Sequence, residues 1–341
     1  MDKQILLNRN EITQGPAPKC LEVLGDFPIE KLARYFDGYF GSDLIPVLSK
    51  KFNIPEQQII LGYGLEDIFR LIFDSLKPGF DIVLTHNLHY TYYDKYLDFK
   101  GVKIENFNLI EKQNEYIFDV DNCISKTSEL RPRIILITSP NNPTGNSIVA
   151  FDLERILQNT SKETLVVLDE AYYGFDDSYD EASFIALLKQ YSNLMILRSF
   201  SKLYALAGMR MGFALCGKEV KSLLRFQNSY LGGSRLLEEI AIAALESTDY
   251  YSNLSGEIIA DRKRFSDSVK ELDDFKVFDS KANFVLIKVA ESIKTNLEHL
   301  LESQDILISK FVTDNLMRVS ISSKQYTNAL SEILRKVSNN T

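Results

Sequence analysis

Cysteine is scarce in this chain, with only Cys20, Cys123 and Cys216 among 341 residues. They are odd in number, far apart and never in a CxxC pair. Neither a disulfide framework nor a thiolate metal site is indicated. Histidine is equally rare. His86 and His89 have a spacing that some metal sites use, but no third ligand is signalled, so no metal is expected and pocket or core lining is the simpler reading. Basic charge is also short: 39 Lys and Arg face 47 Asp and Glu, giving a net charge of -8. No basic patch stands out, which argues against nucleic acid and anionic membrane surfaces as partners. No apolar run is long enough to span a bilayer, and the opening stretch MDKQILLNRNE is polar without a signal-peptide pattern, so a cytoplasmic protein is expected. Internal repeats and low-complexity segments are missing too.

What is present suits a large core. The composition is 45% hydrophobic and 25% charged, and the length suits two domains. Residues 1–30 carry Asn, Gly, Pro16 and Pro18 and read as an arm that joins the small domain, with a short helix at its end. Residues 31–230 are expected to form a large domain and 231–341 a smaller one. Within 59–215 strand-like and helix-like stretches alternate: IILG before a helix with apolar residues at 68, 69, 72, 73 and 76, then DIVLT, RIILIT, TLVVL and the apolar run 194–197. Such alternation is the pattern of an α/β fold with a mostly parallel sheet flanked by helices. Residues 235–275 look largely helical, with 246–272 expected as a long connection. ANFVLIKV, DILISK and LMRVSIS read as strands of a smaller α+β unit.

The chemistry collects where these strands end. The run 194–197 delivers SFSKLYALAGMRMGF, which places Lys202 between Ser199 and Ser201, with Arg210 following. A lysine amine in a pocket lined by hydroxyls and another cation can lose its proton and form a Schiff base. The hydroxyls and the fork of Arg210 suit a phosphate. An aldehyde-binding lysine beside a phosphate cradle points to pyridoxal phosphate; alone, the string reads as a strand followed by a loop with a solvated lysine, as most lysines are. The turn at Gly62 and Gly64 opens a helix, whose first N–H groups bind phosphate well. RIILIT ends in SPNNPTG, where Asn142 has a donor free for a ring substituent. TLVVL ends in DEAYYGF. A carboxylate there is costly unless paired; Asp169 could meet a pyridinium N–H or merely cap the next turn. The stretch HNLHYTYYDKYLDF offers aromatics that could stack on a flat ring.

Together SPNNPTG, DEAYYGF and SFSKLYALAGMRMGF, in that order and spacing, resemble the class I and II aminotransferases, which are fold type I pyridoxal phosphate enzymes. The resemblance covers nearly the whole chain and is nearest to the histidinol-phosphate aminotransferases. LLNRNEITQGPAP resembles their LNANENPYGPSP, ARYFDG their NRYPDG, and LGYGLEDIF their LGNGSDE. It implies that Lys202 forms the covalent link to the cofactor and then moves a proton, that Asp169 binds the pyridine nitrogen, and that Asn142 and Tyr172 hold its O3′. Tyr90, the first tyrosine of the family's PTYxxY, would stack on the ring. The backbone of Leu65 and Glu66, with Ser199, Ser201 and Arg210, would hold the phosphate, and Tyr35 would reach it from a partner subunit. Arg318 would bind the substrate carboxylate, with Asn10 also on the substrate side. The implied activity is amino transfer between an amino acid or amino-alcohol phosphate and a 2-oxo acid, by a ping-pong mechanism in a homodimer. The alternative on the same scaffold is a lyase or decarboxylase of the threonine-phosphate decarboxylase kind.

This sequence also departs from the family. Ile12 and Thr13 stand where the family has an Asn and a Pro, Leu65 replaces a serine, and NSYLGGSR stands in place of a PFNVS-like substrate turn. GTREEN has become SSKQYT, with Lys324 at the arginine position. These changes fall on the substrate side, where Arg235 and Lys324 are candidate cations for a distal group.

Overall fold

The computed structural model describes residues 4–36, 41–224, 233–309 and 315–339. Its centre is a seven-stranded sheet in the spatial order Ile59–Gly62, Gly212–Cys216, Leu194–Ser199, Leu165–Asp169, Ile134–Thr138, Ile82–His86 and Lys103–Phe107. The last five strands pair in parallel, while Gly212–Cys216 runs antiparallel to both its neighbours. The central strands are unbroken apolar runs because helices cover both sheet faces. Successive side chains divide between two cores: Ile135 and Ile137 enter one, Ile134 and Leu136 the other. The helix Leu65–Asp74 shows the matching period of an amphipathic helix, burying Leu65, Ile68, Phe69, Ile72 and Phe73.

The larger core continues under the helices Arg235–Glu246 and Thr248–Lys270 to a three-stranded antiparallel sheet of Phe275–Val277, Phe284–Val289 and Leu316–Ser320. The stretch expected as a long connection is therefore one helix of 23 residues. Its apolar stripe is diluted by charge, but Tyr251, Leu254, Ile258, Phe265 and Val269 keep helical spacing and are buried. The arm is more ordered than expected at its start, where Ile5–Leu7 is a strand pairing in parallel with Ile306–Ile308, and Pro18–Asp26 is the expected short helix. Three further elements gave no clear signal in sequence: the strand Lys103–Phe107, the hairpin Leu109–Lys112 with Glu115–Phe118, and the helix Val120–Leu130. The strand reads KIENF because it is an edge strand with one protected face, so it lacks the apolar run of its central neighbours. Among the described residues no helix is long and apolar enough to cross a membrane.

Register brings the strand ends together. Thr138 lies opposite Asp169, and Gly212 lies opposite both Ser199 and Gly62. Gly212 has no room for a side chain: a Cβ there would meet the Leu65 side chain at 2.9 Å and the Arg198 carbonyl oxygen at 3.2 Å. That close approach sets the start of the Leu65 helix against the Ser199 strand end.

Candidate active site

A cavity of about 750 Å³ opens at these strand ends. The sheet supplies its floor through Asp169, which is 3% exposed. One carboxylate oxygen accepts the Tyr93 hydroxyl at 2.6 Å and the other accepts the Ala171 N–H at 2.9 Å. Burial pushes this carboxyl up to about 6, and the two hydrogen bonds oppose the rise.

Lys202 follows the end of the neighbouring strand. Its amine donates to the Arg9 carbonyl at 2.8 Å and lies 5.6 Å over the Tyr172 ring. Burial lowers it to about 8; the positive charges of Arg318 and Arg210 add to the shift, and Glu11 opposes it. The amine is thus a usable base near neutral pH. The buried Tyr172 hydroxyl accepts from the Asn142 amide at 3.1 Å and the Asn10 amide at 3.0 Å. Arg318 donates to Asn142 Oδ1 and to the Asn8 carbonyl, both at 2.6 Å, while its Nε is buried without a partner among the described residues.

The arm forms one wall. Asn10 takes a left-handed conformation at φ 54°, which asparagine tolerates better than most residues. It is pinned by Ser320, which exchanges hydrogen bonds with its N–H and Oδ1, and by the Asn283 amide on its carbonyl. The far end is a phosphate-shaped cradle. Gly64, at φ 79°, precedes the helix Leu65–Asp74, so the first N–H groups of that helix are free of intrahelical partners. A Cβ on Gly64 would sit 2.6 Å from Arg210 Nη2, so glycine is what lets the guanidinium reach the helix start. Ser199 Oγ accepts the Ser201 N–H at 3.0 Å beside them.

An amine of depressed basicity, a buried carboxylate, two amides converging on a phenol, and an arginine at a helix N-terminus make a donor set that fits pyridoxal phosphate. Of the residues singled out in sequence, Leu65, Glu66, Tyr90, Asn142, Asp169, Tyr172, Ser199, Ser201, Lys202, Arg210, Arg318 and Asn10 all line this one cavity. Tyr35 does not line it and is 92% exposed. Arg235 is also elsewhere, with its guanidinium over the Phe36 ring and donating to the Tyr35 carbonyl. Lys324 lines a separate cavity of about 320 Å³ beside Gln14 and Asp261. The NSYLGGSR segment is residues 228–235, of which 228–232 lie outside the described residues. His86 is buried among aromatic rings and lowered to about 3 by burial, and His89 contacts Asp94. Among the described residues no three His, Cys, Asp or Glu side chains are grouped to hold a metal ion.

Sequence reading missed Tyr93, Thr138 and the arm residues Asn8, Arg9 and Glu11, all of which touch or line the site. Tyr93 could have been found, since it is the second tyrosine of the PTYxxY-like string. The arm residues act partly through backbone carbonyls, which side-chain identity does not report.

The family model for "Aminotransferase class I and II" matches residues 2–333. The chain belongs to the class I and II aminotransferases. It is 31% identical to histidinol-phosphate aminotransferase 2 of Archaeoglobus fulgidus, over 98% of this chain and 94% of that protein. The crystal structure of histidinol-phosphate aminotransferase from Clostridium acetobutylicum is similar at a TM-score of 0.84 and 25% identity, covering 99% of this chain and 100% of that one. The Sinorhizobium meliloti histidinol-phosphate aminotransferase, solved in complex with pyridoxal-5′-phosphate, shares the fold at a TM-score of 0.85 and 22% identity, covering 99% and 91%. The expected family, its fold type I architecture and pyridoxal phosphate as its cofactor are borne out.

Proposed function

We propose that this aminotransferase moves an amino group between a histidinol phosphate-like amino-alcohol phosphate, or an amino acid, and 2-oxoglutarate, by a ping-pong mechanism. The observation that carries the reading is the convergence of Lys202, Asp169, Asn142, Tyr172, Arg210 and Arg318 on one cavity. Bound there, pyridoxal phosphate supplies a reactive carbonyl and a ring that accepts an electron pair from the substrate Cα. Arg210, Ser199, Ser201 and the N–H groups of Leu65 and Glu66 hold its phosphate. Asp169 takes the pyridine nitrogen, Tyr172 and Asn142 hold O3′, and Tyr90 covers the ring face. Lys202, whose amine lies at the cavity with lowered basicity, would hold the cofactor and serve as the base that takes and returns the substrate Cα proton. Arg318 turns from Asn142 and the Asn8 carbonyl to the substrate's carboxylate or phosphate, with Asn10 holding the arm over the site. Residues 1–30 serve as the arm, 31–230 as the cofactor domain and 231–341 as the smaller domain. The protein acts in the cytoplasm as a homodimer in which Tyr35 reaches the partner's phosphate site; a light-scattering mass near 39.0 kDa would contradict the dimer.

The test is spectroscopic. Purified protein loaded with pyridoxal phosphate should absorb in the visible, bleach on addition of glutamate and recover with 2-oxoglutarate. Histidinol phosphate should bleach it as well. Bleaching by glutamate alone would move the donor away from amino-alcohol phosphates, and carbon dioxide release without an acceptor would establish the decarboxylase alternative. The basicity of Lys202 gives a further expectation. Only the neutral amine attacks a carbonyl, so cofactor uptake by the apoprotein should speed up roughly tenfold per pH unit below about 8 and level off above it. Stopped-flow uptake that is flat between pH 6 and 9 would refute this assignment.

A further inference from the structure

Asp169 and Tyr93 form a couple that the reaction as described leaves unexplained. Tyr93 is fully buried on the helix Tyr92–Lys100, next to the floor strand. Its ring packs against Phe69 at 5.0 Å, Phe73 at 6.3 Å and the flat face of His89 at 5.9 Å, which leaves it no alternative direction. Its hydroxyl reaches Asp169 at 2.6 Å and Thr138 Oγ1 at 3.2 Å. A phenol between a carboxylate and a hydroxyl donates to the carboxylate, the stronger acceptor, and accepts from the hydroxyl. Asp169 therefore has one oxygen fixed by Tyr93 and the other by the Ala171 N–H, so its plane is set before any ligand arrives.

We propose that Tyr93 is a positioning residue for the amino transfer: it keeps Asp169 ionised and locks its rotation, so that the carboxylate is ready to hold the pyridine nitrogen protonated. This rests on the assignment of Asp169 to that nitrogen. Burial drives Asp169 toward its neutral form, and a neutral acid cannot stabilise a ring cation. Among the described residues no cation pairs with Asp169 directly. The other titratable groups around it are Glu170 beside it in the chain, Tyr172 on its own loop, Tyr90 ahead of the Tyr93 helix, and Lys202 across the cavity. Glu170 raises Asp169 further, so the donors Tyr93 and Ala171 carry the opposing effect.

Tyr93→Phe keeps the ring packing and removes the hydroxyl. The dissociation constant for pyridoxal phosphate, read by protein fluorescence from pH 5 to 9, is expected to rise roughly ten- to hundredfold near neutrality, the effect of losing one hydrogen bond to a charged group. The pH below which affinity falls should move up by about one unit, because Asp169 loses a donor that lowered it. The nitrogen-15 shift of ring-labelled cofactor should move toward that of the unprotonated pyridine. Tyr96→Phe removes a phenol from the same helix that bonds Asp74 instead, and should leave all three readings unchanged. In an Asp169→Asn background, Tyr93→Phe should have little further effect. If Tyr93→Phe matches the parent in affinity, pH profile and nitrogen shift, or if Tyr96→Phe moves them equally, the proposal fails while the cofactor assignment stands. If the parent protein takes up no cofactor, both fall.

Discussion

Lys202→Ala is expected to lower turnover by roughly ten-thousandfold or more, because under the proposed function the same amine both links to the cofactor and transfers the proton. Three features make the loss chemical and not structural. Among the described residues Lys202 has one hydrogen bond, to the Arg9 carbonyl, and that carbonyl lies at the cavity, where water can replace the amine. It forms no ion pair with any described residue. Its positive charge is already disfavoured by burial and by Arg318 and Arg210, so removing it relieves repulsion. The variant should therefore fold, melt near the parent temperature and still bind pyridoxal phosphate through Arg210, the Leu65 helix and Asp169. The measurement is single-turnover absorbance after mixing the loaded variant with glutamate, alongside equilibrium cofactor binding. Turnover within tenfold of the parent would remove Lys202 from the chemistry. Loss of cofactor binding together with melting temperature would show that the side chain was holding the fold.

The arrangement around Lys202 was legible because its parts sit in short strings at strand ends. An apolar run such as TLVVL announces a buried strand, and the first polar residue after it, Asp169, must lie where the sheet gives way to a ligand. That reasoning located most of the cavity without coordinates. It could not see groups delivered by backbone atoms, such as the Arg9 and Asn8 carbonyls, or by a helix whose aromatic content hides its one functional phenol. Tyr92, Tyr93 and Tyr96 are alike in sequence, and only packing separates the buried one from the half-buried pair.

The fold was legible on the same terms. Strands covered on both faces gave unbroken apolar runs. The edge strand Lys103–Phe107 and the hairpin after it did not, since one side faces water. The arm strand Ile5–Leu7 is three residues long and exists only because Ile306–Ile308 offers a partner some 300 positions away, which no local window can report. The distal-group candidates do not line this cavity, for a related reason. Arg235 and Lys324 were chosen by position in a motif, and where a motif has diverged, position no longer fixes what the side chain faces.

The neighbouring carboxylates Asp169 and Glu170 allow the largest electrostatic effect to be separated from a purely structural one. Both are buried, but successive residues leave a strand on opposite sides. Asp169 faces the cavity, whereas Glu170 meets the guanidinium of buried Arg198 at 2.8 Å and the Tyr179 hydroxyl at 2.5 Å. Arg198 is held further by Glu181 at 2.5 Å and lies 3.8 Å from the centre of the Tyr173 ring. Asp169→Asn is isosteric, keeps an acceptor for one neighbour, and removes only the charge that, under the proposed function, balances a protonated ring. It is expected to reduce kcat roughly hundred- to thousandfold, the scale for losing one preorganised charge at a reacting centre, with a modest change in melting temperature. Glu170→Gln should show the reverse. It leaves Arg198 buried without its full counter-charge, which costs about 3–5 kcal/mol, while kcat per folded molecule stays within a few-fold. Active-site titration with thermal melts of the two variants reads both quantities. If Glu170→Gln lost activity without losing stability, or Asp169→Asn lost stability without losing activity, the division of labour between these two carboxylates would be the wrong way round.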